Sequence, residues 1–212
     1  DLFYVHRRDH GVEIEEVTET LAGLVKAGKT RAIGFSEIAP SSLRRASAIH
    51  PVAAVQSEYS LSTRFPDLGL VQTCAELGTT LVAFSPVGRG LLTDSPHGAD
   101  AVVSIPFLKT NPRFIEPNLS ANIATSAGFR TLAAEMGTSA AALAIAWLLT
   151  RGKHVLPIPG TRSVSHLKEL AAGMTLGLSD ADLTRIDAVL PVGWAHGDRY
   201  SDDQWIGPER YC

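Results

Sequence analysis

Short apolar runs alternate with longer stretches of helical spacing along most of this chain. Leu2 to His6 is a β-branched and aromatic run of strand length, and predicts a buried strand. Val17, Leu21, Leu24 and Val25 then put four apolar groups on one helical face, and Gly28 stands where a helix takes its left-handed stop. Arg31 to Phe35 reads as a second strand. Pro40 opens a helix carrying Leu43, Ala46 and Ile49, since proline's missing N–H costs nothing in a first turn. Val52 to Gln56 is a third strand, Pro66 to Leu77 a helix closed by Gly78, and Thr80 to Phe84 a fourth strand. Helices are expected over 119–136 and 139–149, the second apolar on nearly every face and therefore fully buried. His154 to Ile158 is a fifth strand, followed by helices over 163–172 and 180–190, with Ser179 the expected N-cap of the last.

Strands that alternate with helices imply a parallel β/α architecture. An internal echo supports it: Gly28-Lys29-Thr30 leads through a strand to Phe35-Ser36, and Gly78-Thr79-Thr80 leads through a strand to Phe84-Ser85. The proline- and glycine-rich stretch 88–117 lacks periodicity and reads as a functional loop, and the tail 191–212 is polar, with Trp194 and Trp205 to pin it to the body. No Gly-x-Gly-x-x-Gly follows the first strand, which removes the best support for an open dinucleotide-binding sheet. A (β/α)8 barrel fits the unit sizes, but five strands are counted where closure requires eight.

Composition narrows the function classes. The 212 residues are 45% hydrophobic and 19% charged, enough to bury one core as a single domain over 1–212. A net charge of −3 offers no basic field, so no nucleic-acid partner is expected. The longest apolar run, around Ala140 to Leu149, is too short to span a bilayer, so no membrane partner is expected either. Cys74 and Cys212 make no disulfide framework, which points to a reducing, cytoplasmic setting. The chain opens at Asp1 without Met or signal peptide, as though inside a strand.

In a barrel of parallel strands the functional groups sit at the C-terminal strand ends. Those ends are His6, Ser36 with Glu37, Gln56, Ser85 with its loop, and Gly160 to Arg162. Five polar ends after apolar runs favour a site over a set of structural side chains. His6-Arg7-Arg8-Asp9-His10 has no second cluster to complete a metal shell, so no metal is expected. There is no Gly-x-Ser-x-Gly elbow, and Glu15-Glu16 and Asp202-Asp203 read as solvated surface. Two stretches suit phosphate. Ser85-Pro86-Val87-Gly88-Arg89-Gly90 bares backbone N–H groups beside an arginine, and Pro159-Gly160-Thr161-Arg162-Ser163 runs into a helix N-terminus. Either alone could be an ordinary turn; together they favour a phosphate-bearing ligand.

These residues resemble the aldo-keto reductase superfamily, especially its branches with a Ser-Pro-x-Gly-Arg-Gly loop. Residues 1–9 are similar to that family's fourth strand, which ends on the catalytic His, and 28–37, 55–61, 84–90 and 158–162 are similar to its fifth to eighth. The resemblance implies a TIM-type (β/α)8 barrel of which this chain supplies about five strands, the fourth to the eighth, with their helices. It implies NADPH (NADP+ when oxidised) as cofactor and reduction of a small aldehyde or ketone to an alcohol. Ser36 and Gln56 would bond the nicotinamide carboxamide, with Glu37 where many members have Asn, and Phe84 would stack on the ring in place of the commoner Tyr. Ser85, Val87, Gly88 and Arg89 would line the pyrophosphate. Gly160, Thr161 and Arg162 would meet the 2′-phosphate, with His166 and Glu169 beside the adenine, and Leu170 replacing an Asn usual next to that Glu. His6 would orient the substrate carbonyl, while the family's Tyr, Lys and Asp sit on the first strands of its barrel, ahead of the strand that residues 1–9 resemble. The 212-residue chain alone is therefore expected to be inactive, lacking three βα units, and its open barrel edges are expected to favour self-association. The alternative of another class is a non-catalytic nucleotide-binding partial barrel serving as sensor or subunit. A third is a barrel hydrolase or isomerase taking a phosphorylated substrate.

Overall fold

The computed structural model describes residues 1–210, so Cys212 lies outside the described residues. Five strands, β1 (Leu2–His6), β2 (Ala32–Ser36), β3 (Val52–Glu58), β4 (Thr80–Phe84) and β5 (Val155–Ile158), form one sheet in the order β1-β2-β3-β4-β5. Every pairing is parallel. This strictly sequential order is that of consecutive units in a barrel wall; a doubly wound sheet reverses direction at a switch point.

Register sorts the side chains into two faces. Val5, Phe35, Val55, Leu81 and Val155 pair in one continuous row across all five strands. Four of them are almost wholly buried, and Val5 packs against the same cluster. That face is covered by α1 (Ile14–Lys26), α2 (Pro40–Ile49) and α3 (Leu70–Leu77), which pack side by side, and by helices from the second half of the chain. The next row is His6, Ser36, Gln56, Val82 and Leu156, on the opposite face. Period-two alternation thus separates a greasy outer layer from a row that begins with three polar groups.

The stops read from sequence are present. Gly28 (φ 70°) and Gly78 (φ 67°) are left-handed after α1 and α3, where a Cβ would be strained. The predicted helix over 66–77 is broken. Phe65–Leu68 is a 3-10 turn and α3 starts only at Leu70, because Gly69 sits between them at φ 122°. Stretch 88–117 contains a short helix, α4 (Ala99–Val102), flanked by 3-10 turns.

Then come α5 (Asn118–Glu135), α6 (Ala140–Leu149), α7 (Val164–Ala172) and α8 (Asp180–Val189). As expected, α6 is buried over Ala140–Leu148. Ser139 caps it by accepting the Ala142 N–H, and Asp94 accepts that of Ala140 at 2.9 Å. Ser179 caps α8 through a reciprocal capping box with Asp182. Trp194 pins the tail, its indole donating 2.8 Å to the Leu61 carbonyl. Among the described residues no single helix is long and apolar enough to cross a membrane.

Candidate active site

The C-terminal ends of the strands open onto a cavity of about 810 Å³. All the site residues expected from sequence line it except Gly88 and Arg162. The sheet does most of the placing. His6 pairs with Ser36, and Ser36 with Gln56, so three polar side chains from three strands stand in line at one level. One step further along, Glu58, Phe84 and Ile158 pair in the same way, which puts the Phe84 ring above that row. Among the described residues, the Ser36 hydroxyl and the Gln56 carboxamide have no protein hydrogen-bond partner, although both face the cavity. Polar groups aimed into a cavity and left free in this way are what a bound ligand would complete.

Gly88 lies buried behind the loop, left-handed at φ 60°, and a Cβ there would come 2.8 Å from the Ser62 hydroxyl. Arg162 stands beside the main cavity. It lines an adjoining shallow depression with His97, Gly160, Thr161, Ser163 and His166. Ser163 is the N-cap of α7, so the exposed guanidinium sits at a helix N-terminus, where the dipole also favours an anion.

Backbone strain gathers at this rim. Among the described residues the non-glycine residues with left-handed φ are Arg7 (63°), Glu37 (59°), Ser85 (51°) and Arg89 (56°), and every one lines the cavity. Three of them directly follow a strand, after His6, Ser36 and Phe84. Each such conformation costs on the order of 1 kcal/mol or more and persists only where surrounding contacts hold it.

The Arg89 guanidinium has partners within the protein. It donates to Glu58 Oε2 at 2.5 Å and to the Arg199 carbonyl at 2.6 Å. Glu58, 1% exposed, is also approached by Arg199 at 3.5 Å and Arg113 at 3.9 Å. The Glu37 carboxylate is engaged within the protein. It accepts from the Glu58 N–H and the Ser57 hydroxyl and pairs with Arg199 at 2.6 Å. Burial disfavours the Arg199 cation, but the Glu37 and Glu58 carboxylates outweigh that and raise its pKa. Tyr200 is pushed up to about 12, by burial first and then by the same two carboxylates.

Sequence reading did not assign Arg7, His97, Phe107 or Tyr200 to the site; His97 and Phe107 complete the cavity wall from the 88–117 loop, Tyr200 from the tail and Arg7 from the end of β1. The signal for His97 and Phe107 was their position within the stretch read as a functional loop. Among the described residues no group of three metal-ligating side chains is brought together.

With this geometry in hand, comparison with known proteins is decisive. The Aldo/keto reductase family model matches residues 1–191. The chain belongs to the aldo/keto reductase family. It is 41% identical over 203 residues to a probable aldo-keto reductase 1 of Glycine max, covering 94% of this chain and 58% of that relative. To the aldo-keto reductase yakc [NADP(+)] of Schizosaccharomyces pombe it is 36% identical, covering 94% of this chain and 60% of that protein. Among solved structures, a glycerol dehydrogenase of Gluconobacter oxydans superposes with TM-score 0.76 at 26% identity, over 90% of this chain and 58% of that one. A thermostable aldo-keto reductase in complex with epalrestat gives TM-score 0.68 at 26% identity, over 89% and 59%. This aldo/keto reductase chain therefore spans about three-fifths of the length of the relatives it matches.

Proposed function

We propose that the chain supplies the cofactor side of an NADPH-dependent carbonyl reductase, its strands corresponding to the fourth to eighth of the family barrel. The observation that carries this reading is the aligned row His6–Ser36–Gln56, facing one cavity with Phe84, Ser85, Gly160, Thr161, His166 and Glu169. The donor set fits an extended dinucleotide. A side-chain hydroxyl and a carboxamide suit an amide at one end, and an aromatic face lies beside them. A glycine-bearing turn follows, and a helix N-terminus with an arginine suits a phosphate at the far end.

When bound, NADPH supplies a hydride. Ser36 and Gln56 hold the carboxamide, Phe84 provides the flat surface beneath the ring, and the loop 85–90 borders the diphosphate. Arg162 meets the 2′-phosphate. His6 presents its imidazole to the oxygen of an aldehyde or ketone and orients the carbonyl. Phe107, Leu108, Ile105 and Tyr200 form an apolar wall on the substrate side of the same cavity. Of the four catalytic residues the family uses, this segment carries His6, so we propose that the 212-residue chain alone binds cofactor without turning it over. A non-catalytic nucleotide-binding role is the second reading, favoured by the same observation. The exposed Phe3 on β1 and Leu156 and Ile158 on β5 make self-association the expected behaviour of the isolated chain.

Titration with NADPH and with NADH, followed by nicotinamide fluorescence, tests the assignment. Arg162→Ala should weaken NADPH about 10- to 100-fold, the worth of a charge-assisted contact, while moving NADH by about twofold at most. Equal NADPH affinity in the variant and the parent would remove Arg162 from the site.

A further inference from the structure

Three of the four left-handed residues at the cavity rim share a feature outside their own elements. Arg7, Glu37 and Arg89 are each tied to one segment of the tail. The Arg7 guanidinium donates to the carbonyls of Gln204 at 3.0 Å and Ile206 at 3.1 Å. Gly207 lets the tail pass there, since a Cβ on it would come 2.8 Å from the Arg7 Cβ. Glu37 is held twice, by the Arg199 guanidinium on its carboxylate and by the Glu209 N–H, which donates 2.8 Å to its carbonyl. Arg89 bonds the Arg199 carbonyl and, through Glu58, meets the Arg199 side chain. Glu209 adds a tie to Arg8 at 3.3 Å and accepts the Ala39 N–H at 2.7 Å. The Arg199 guanidinium lies over both the Tyr200 and the Trp205 ring, each centroid 4.7 Å away, and the two rings themselves meet edge to face.

A left-handed non-glycine residue stays in place only if its surroundings over-determine it. Here the over-determining contacts come from the tail. The residues so held set the direction of His6, of Ser36 and of the turn 85–90, which are the groups assigned above to the carbonyl, the carboxamide and the diphosphate. We propose that the tail segment 199–209 is a positioning element of the cofactor site, and that Arg89 and Glu58 are positioning residues that join it to the 85–90 turn. Arg89 serves as an internal strut and does not bind phosphate directly. The affinity arm of this proposal rests on the NADPH reading; its conformational arm does not.

The two roles of Arg89 differ in sign. Glu58→Gln removes the strut's charged anchor and leaves Arg89 cationic beside the turn, held there by the Arg199 carbonyl alone. A direct phosphate ligand would then bind NADPH as well as before or better, whereas a strut would bind it worse. The experiment measures amide hydrogen exchange over 85–92 together with NADPH titration, for the parent chain, Glu58→Gln, Arg199→Lys and Arg7→Met. The turn amides of Gly88, Gly90, Leu91 and Leu92 donate to Ser85, Val87 and Gly88 carbonyls, so exchange reports the turn directly. Glu58→Gln and Arg199→Lys should each speed exchange at these amides about tenfold or more. Each should weaken NADPH by about tenfold through lost pre-organisation. Arg7→Met leaves no buried carboxylate behind and so guards against a variant that merely fails to fold. It should speed exchange across 204–207 and at the amides following His6. Unchanged exchange in all three variants overturns the proposal, as does NADPH affinity held or raised in Glu58→Gln while exchange rises. A parent chain that binds no NADPH, yet shows the exchange response, would refute the cofactor reading and leave the strut standing.

Discussion

Replacing Gly34 with alanine probes the packing that fixes β1 against β2. Gly34 pairs with Tyr4, and a methyl group on it would come 2.6 and 2.8 Å from two ring carbons of Tyr4 and 2.9 Å from the Ala54 carbonyl oxygen. In a strand the change normally stabilises by roughly 0.5–1 kcal/mol, because glycine loses more freedom on folding. All three contacts, however, fall well inside the ~3.5–4.0 Å at which carbon atoms attract. The Tyr4 ring is half-buried on an edge strand and can swing toward the cavity. The Ala54 carbonyl belongs to the central strand and cannot retreat without opening the β2–β3 ladder. Overpacking of this kind costs about 1–3 kcal/mol, so the usual sign reverses and a net loss of about 1–2 kcal/mol is expected. At about 2–4 °C per kcal/mol for a chain of this size, the melting temperature by circular dichroism should fall by roughly 2–8 °C. In a Tyr4→Ala background the cost should shrink without vanishing, since the ring contacts go and the carbonyl contact stays. A Gly34→Ala variant that melts higher than the parent, or one whose cost ignores Tyr4, would refute this register.

Other consequences are as direct. Trp194→Phe leaves the buried Leu61 carbonyl without its donor and should destabilise by about 1–3 kcal/mol, read by urea denaturation. Burial pushes the Cys74 thiol up to about 12, so at pH 8 roughly 10⁻⁴ of it is thiolate, and the Cys74 peptide should stay unalkylated by iodoacetamide until the chain is unfolded. Tyr200 ionises near its ordinary value of 10 when unfolded but at about 12 when folded, so the folded state holds the proton more tightly. Its contribution is complete below pH 10 and is lost as pH rises from 10 to 12. Tyr200→Phe should therefore flatten the fall of unfolding free energy across that window by up to about 3 kcal/mol, measured by denaturant melts at each pH.

Local signals made most of the fold legible. Glycine stops at Gly28 and Gly78, the cap at Ser179, and the even greasiness of Ala140–Leu148 are short-range patterns, and they appear as read. The strand-end residues were legible for the same reason, since a polar group after an apolar run marks where a strand leaves the core. Gly69 was missed because a glycine inside an apolar pattern does not announce φ 122°. The Glu37–Arg199 pair lies 162 positions apart in sequence and joins a strand end to a tail with no periodicity. Nothing local could reveal that the Glu37 carboxylate pairs with a buried arginine. Arg89 illustrates the same limit. Its loop reads as phosphate-binding, and only tertiary packing reveals that its guanidinium is engaged by Glu58.

On the proposed reading, this segment binds the cofactor of a reductase and does not complete the reaction alone. Nicotinamide fluorescence of NADPH, followed as chain of verified 22.6 kDa mass is added and an aromatic aldehyde afterwards, tests both halves at once. The expected record is a saturable change on binding, then no measurable loss of signal after the aldehyde. Absence of the general acid alone lowers the rate by about 10²–10⁴. A trace that shows no binding, or one that binds and then declines steadily to oxidised cofactor, would contradict the account.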